Sequence, residues 1–151
     1  MGNRAVITNY EKNIVGENKY SPSNIGVYLH WNGGRESVEA FLTYCQLKGY
    51  RTPSSDNYGW ARFCQVVGNF FGGTNSIGID TCNNLDCDNY DNGVYLIEGW
   101  KVVGRAYTSD DDEPINDDDL LRFLICIDEK QPKDEQLGVD FIEENYKLWI
   151  W

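Results

Sequence analysis

Few residues in this sequence are equipped for covalent chemistry, and they are scattered. The single histidine, His30, lies in Tyr28-Leu29-His30-Trp31, where strand alternation can aim the ring at a core or at solvent. A Cys–His nucleophile would need a thiol beside it in space, and none of the five cysteines (Cys45, Cys64, Cys82, Cys87, Cys126) sits in a nucleophile motif. The sequence holds no G-x-S-x-G elbow, Walker loop, H-E-x-x-H pair or G-x-G-x-x-G fingerprint. An enzyme would have to rest on scattered carboxylates. The chain is therefore read as a binder, with no catalytic residue assigned.

Metal chemistry fails on spacing. Asp86-Cys87-Asp88-Asn89-Tyr90-Asp91-Asn92-Gly93 resembles a calcium loop, but counted from Asp86 the third ligand position is Tyr90, and Asp91 stands where glycine belongs. A tight loop that delivers Asp91 and Asn92 to one end of a hairpin fits better, because Asx side chains and glycine tolerate positive φ. The cysteines are odd in number and contain no C-x-x-C pair, so neither a disulfide framework nor a zinc ribbon is signalled. All five thiols are expected free in a reducing compartment, with Cys45 and Cys64 acting as small core hydrophobes.

Anion chemistry is better provided for. Backbone N–H groups at Asn32-Gly33-Gly34-Arg35 can form an anion site where a helix begins. Arg35, Arg62 and Arg105 can each pair with a phosphate, and Phe70, Phe71, Trp60 or Tyr107 can offer a face to a base. Most of these aromatics must be core. Phe71, at a helix end beside Gly72-Gly73, is freer to serve a ligand than Phe63 or Trp60 in mid-stripe. The expected ligand-binding set is Phe70, Phe71, Asn92, Asp91, Arg105, Arg62 and Arg35, with Asn92 bonding a ribose or base edge.

These residues need a scaffold, and the hydrophobic periodicity supplies one. Arg4–Thr8, Ile25–Trp31 and Asn75–Thr81 read as strands, and Gly93–Ile97 pairs with Trp100–Thr108 as a hairpin turning at Glu98-Gly99. Arg35–Lys48 reads as a helix. A second helix, N-capped by Asp56, carries Trp60, Phe63, Cys64, Val67, Phe70 and Phe71 along one stripe. A third spans Asp118–Glu129 with Leu120, Leu121, Leu124 and Ile127 inward. The 151 residues, 41% hydrophobic, suit one compact α+β domain, 1–151, with an antiparallel sheet and two to four helices. Residues 135–151 form an extension, helix or strand, ending in the apolar Trp149-Ile150-Trp151. Such an end predicts a homo-oligomer.

Charge narrows the partners. Thirteen Lys and Arg face 24 Asp and Glu, a net of −11, which opposes DNA and RNA polymers and acidic membrane surfaces. Asp110–Asp119, within an acidic loop at 109–119, holds seven of the carboxylates. Charge runs of this kind are usually solvated, and Asp117–Asp119 also suit the first turn of the third helix. An alternative reading makes the loop a surface mimic that blocks a basic host or defence protein. No apolar run approaches a membrane span and the first residues lack a signal-peptide pattern, so a cytoplasmic protein is expected.

The wording of several segments carries a resemblance: Gly2-Asn3-Arg4-Ala5-Val6-Ile7-Thr8, Gly26-Val27-Tyr28-Leu29-His30-Trp31-Asn32-Gly33-Gly34, Tyr58-Gly59-Trp60-Ala61-Arg62, Gly68-Asn69-Phe70-Phe71-Gly72-Gly73 and Asp88-Asn89-Tyr90-Asp91-Asn92-Gly93-Val94-Tyr95. Over roughly the first 107 residues the chain is similar to small proteins of phages and prophages of Gram-positive bacteria, and among them it resembles the anti-Thoeris family. The resemblance implies a sponge that sequesters an isomeric glycocyclic ADP-ribose signal without cleaving it, in the cytoplasm of the infected host. It further implies a dimer or an assembly of dimers, some members also holding cyclic trinucleotides, and no cofactor. The acidic loop and the Trp-rich C-terminus lie outside the resembling segment.

Overall fold

The computed structural model describes residues 2–14, 19–53, 57–73, 75–108 and 115–149, the side chains of 148 and 149 excepted. Asp56, residues 109–114 of the acidic loop and the side chains of Trp149, Ile150 and Trp151 lie outside the described residues. Five strands form one sheet: β1 Ala5–Asn9, β2 Ile25–Leu29, β3 Ile77–Thr81, β4 Val94–Glu98 and β5 Lys101–Ala106, in the order β3-β2-β1-β4-β5. Four helices accompany it: α1 Arg35–Leu47, α2 Asn57–Phe71, α3 Asp117–Glu129 and α4 Val139–Asn145. The α+β expectation holds. The sheet, however, is not wholly antiparallel, because β1 and β4 run parallel.

That parallel pair sits at the centre of the sheet, and its composition shows why it can. Ala5, Val6, Ile7 and Thr8 are all completely buried, as expected of a strand covered on both faces. Alternation divides the contacts. Ile7, Val27, Leu29, Tyr95 and Ile97 face the helices, where Val38, Phe41, Phe63, Val67, Leu124 and Ile127 complete the main core. Val6, Val94, Leu96 and Ala106 face the other way, onto Tyr20, Cys82 and Cys87 from the loops that follow β1 and β3. A strand with apolar residues on both sides needs two covers, and here the second is made of loop.

The helices begin and end as their sequences direct. The Asn116 side chain N-caps α3 by accepting from Asp118 N at 2.8 Å and Asp119 N at 3.2 Å, while Asp117–Asp119 occupy the first turn, where carboxylates meet the positive end of the dipole. The β4–β5 hairpin turns through Gly99-Trp100, and Trp100 is pulled inward as its indole Nε1 donates to Tyr50 O at 3.0 Å. In the extension, helix prevails over strand. Ile142 of α4 is fully buried and Tyr146 nearly so, whereas Val139 and Phe141 stay exposed. No helix among the described residues is long and apolar enough to cross a membrane.

Candidate functional site

The parallel pairing gathers several polar segments at one end of the sheet. β1, β3 and β4 begin there, β2 and β5 finish there, and the Asn32-Gly33-Gly34 turn leads from it into α1. Arg105, near the end of β5, lies opposite Tyr95 of β4 in the ladder, so both side chains share the helix-side face. The guanidinium centre sits 3.8 Å from the Tyr95 ring centre, a close cation–π contact. The Tyr95 hydroxyl in turn donates to Gly33 O at 2.7 Å, just ahead of α1. Burial raises the Tyr95 pKa to about 12, and the charges of Arg105, Glu39 and Arg35 all act on that hydroxyl.

Arg105 is incompletely satisfied. Its Nη2 donates to Asn92 O at 2.7 Å, whereas its buried Nε has no hydrogen-bond partner among the described residues. A buried donor without an acceptor is unfavourable and marks a place where a further oxygen would be welcome. Beside it lies the start of α1, whose N-cap Gly34 supplies no side-chain cap, so the positive end of the helix dipole falls at the same end of the sheet. Arg35 itself is held by Glu39, Nε to Oε2 at 2.6 Å.

Asn92 and Asp91 reach this end through the loop before β4. Asn92 Nδ2 donates to Asn3 Oδ1 at 2.6 Å and to Arg4 O at 3.0 Å. Asp91 accepts from Arg4 Nε at 2.8 Å and from Arg4 N at 3.1 Å, and the Arg4 side chain is the main reason its pKa is lowered. Positive φ falls at Gly93 (64°), as expected of the glycine, and at Tyr90 (63°), but not at Asp91 or Asn92. The organiser of the loop is Asn89, fully buried. Its Nδ2 donates to the carbonyls of Asp86, Cys87 and Gly93, and its Oδ1 accepts from the N–H groups of Asp91 and Gly93. Sequence reasoning missed Asn89, although an Asx residue two before Asp91 was the available signal.

The remaining expected residues do not join this cluster within one chain. Phe70 stacks on Phe123 with ring centres 5.4 Å apart and meets Phe41 edge-on at 5.3 Å. Phe71 packs against Phe70 at 5.4 Å and Phe41 at 6.4 Å. Both close the helical core from the end of α2, which leads into β3, the edge strand opposite β5. Four strand spacings separate those edges, roughly 19 Å. Arg62 lies over the Tyr58 ring at 5.5 Å and lines a depression with Tyr50, Gln65, Pro132, Asp134 and Glu135. Tyr50 is bonded to Trp100 in the β4–β5 turn, so Arg62 belongs to the far end of the sheet. Arg105 and Arg62 thus cannot grip one pyrophosphate in a single protomer.

A separate cavity of about 460 Å³ opens on the loop-covered face, lined by Tyr20, Cys82, Cys87, Tyr107, Asp86 and Asp88 among others. Two carboxylates in its wall make it a poor place for a phosphate. His30 is occupied locally, its Nδ1 2.8 Å from the Tyr28 hydroxyl and its ring edge-on to Trp31. Comparison with protein-family models, with curated proteins and with solved structures finds no match to this chain.

Proposed function

We propose that this protein binds a small cyclic nucleotide of the glycocyclic ADP-ribose type through its pyrophosphate and holds it without cleaving it, as a phage anti-defence sponge in the host cytoplasm. The observation that carries the reading is Arg105: a guanidinium fixed on the Tyr95 ring, with a buried Nε lacking an acceptor, beside the uncapped start of α1. A phosphate oxygen would satisfy Nε, meet the first-turn N–H groups and find Arg35 close by. Asn92, anchored by Asn3 and Arg4, supports the loop whose carbonyl orients Arg105.

The adenine requires an aromatic face, and Phe70 and Phe71 lie over the opposite sheet edge. The site is therefore completed between two copies, Phe71 of one chain serving the Arg105 cluster of another, as a dimer or an assembly of dimers. Light scattering at micromolar concentration should give at least a dimer. A monomer that nevertheless bound ligand would remove the shared site from the proposal.

Arg105→Ala should weaken binding 10- to 100-fold, since a charge-assisted hydrogen bond contributes about 1.5–3 kcal/mol and each 1.4 kcal/mol is tenfold. Titration calorimetry with cyclic ADP-ribose isomers measures it, and mass spectrometry of ligand released on heating should return the mass added. Should folded wild-type protein bind no cyclic ADP-ribose isomer and no cyclic oligonucleotide, the sponge is lost and the acidic-mimic reading takes its place. Linear, hydrolysed ligand in the heated sample would instead make the protein an enzyme.

A further inference from the structure

The loop-covered face brings together two thiols that sequence spacing left apart. Cys82 opens a short 3-10 turn, Leu85 N returns to Cys82 O at 3.1 Å, and Cys87 N bonds Leu85 O at 2.9 Å. The chain thereby doubles back, and the Cys87 thiol donates to the Cys82 carbonyl at 3.5 Å. The Cys82 thiol, the Cys87 thiol and the Tyr20 hydroxyl lie close enough for each neighbour to act on the Cys87 pKa. Cys82 and Cys87 are only 2% and 8% exposed, yet both line the 460 Å³ cavity, so a small molecule entering it meets sulfur.

The environment of the two sulfurs is unequal. Hydrogen bonding from Cys82 lowers the Cys87 pKa to about 7 against the opposing effects of burial and Asp86, while Cys82 is pushed the other way and keeps its proton. Cys45 is fully buried in the helical core, and Cys126 is exposed on α3. Among the described residues no group of three His, Cys, Asp or Glu side chains could hold a metal ion, which leaves the pair as a dithiol.

We propose that Cys87 and Cys82 form a peroxide-reactive dithiol, Cys87 the attacking sulfur and Cys82 the resolving one. The Cys87 thiolate attacks one oxygen of a hydroperoxide; the O–O bond breaks, the distal fragment leaves with a proton as water or alcohol, and Cys87 becomes a sulfenic acid. The Cys82 thiol then attacks that sulfur, the S–O bond breaks, and water leaves as the disulfide forms. In sum two thiols lose two electrons to one peroxide bond. A small dithiol reductant reverses the change.

The test treats folded, reduced protein with hydrogen peroxide at neutral pH, blocks the remaining thiols by alkylation, and sequences the tryptic peptide 63–101, which contains Cys64, Cys82 and Cys87. The expected product is a Cys82–Cys87 disulfide with Cys64 alkylated. Cys82→Ser should stop the reaction at a Cys87 sulfenic acid that a dimedone-type reagent traps. Both thiols still free after Cys126 is oxidised, or Cys87 joined to any sulfur other than Cys82, would overturn the proposal. The wild-type arm decides it even if the variant fails to fold.

Discussion

Asp128→Ala is expected to destabilise the protein by about 3–4 kcal/mol, the sum of lost charge-assisted bonds and of donors left unpaired, partly relieved by water. Asp128 is only 3% exposed at the inner end of α3. Its Oδ1 accepts from the Tyr44 hydroxyl at 2.6 Å and from Leu137 N at 2.7 Å, and its Oδ2 accepts from Gly138 N at 3.0 Å. One carboxylate thus ties α1 to α3 and docks the segment that leads into α4, whose Ile142 is fully buried. Burial first, then the bond to Asp128, pushes the Tyr44 hydroxyl pKa up, so that phenol stays a donor at any working pH. Truncation strands it in the core. At about 2–4 °C per kcal/mol for a chain of this size, the melting temperature should fall by roughly 6–16 °C. Asp128→Asn keeps one acceptor oxygen but turns an amide N–H toward a backbone donor, and should lose about half as much. A shift under about 1 kcal/mol in Asp128→Ala, read by urea unfolding, would show that the extension is held by Ile142 and Tyr146 alone.

Gly93→Ala should be at least as severe, at more than about 3 kcal/mol, because two independent penalties coincide. Gly93 has φ 64°, a conformation that costs an L-residue about 1–2 kcal/mol. A Cβ there would also run into the carbonyl oxygen of Ala106 and lie 2.9 Å from that of Tyr107, backbone atoms that cannot rotate aside. Relief would require moving Gly93, whose carbonyl accepts from Val6 N at 2.9 Å and whose N–H donates to Asn89 Oδ1 at 3.0 Å. The β1–β4 junction and the Asn89 loop would loosen together, and with them the carbonyl of Asn92 that orients Arg105. Gly73→Ala isolates the first penalty: φ is 91° and nothing stands within 4 Å of the added carbon, so only about 1–2 kcal/mol should be lost. Equal losses at the two positions would mean that the Ala106 carbonyl yields.

The sequence alone determined the elements other than α4, because each is a property of a short window, whereas residues 135–151 could be read as helix or strand. The i, i+3, i+4, i+7 stripe from Trp60 to Phe71 can be buried only as a helix, and that is α2. Two β runs around Glu98-Gly99 have little choice but to pair, and they do so as β4 and β5. The helix starting at Arg35 and the carboxylate-rich first turn of α3 were legible for the same reason. Arg4–Thr8 was legible as a strand, although its partner was not written beside it and its cover on both faces was shown only by the structure.

Tertiary structure decided everything that depends on who meets whom across the chain. The penalty for closing a loop grows only slowly with its length, so nothing local said that β1 would lie parallel to β4 rather than join a purely antiparallel sheet. That one pairing seats Asn92 on Asn3 and Arg4, whereas Arg105 reaches Tyr95 through the β4–β5 hairpin and Arg62 lies at the opposite end of the sheet. Phe70 and Phe71 looked equally available because they end a helix next to glycines, but Phe41 and Phe123 from other helices pack on Phe70, while Phe71, against Phe41 and Phe70, stays half-buried. Cys82 and Cys87 carried no motif, since their meeting is produced by a turn and by the back face of the sheet. A window of sequence encodes which face is apolar; which other apolar face it meets is settled only when the whole chain excludes water at once.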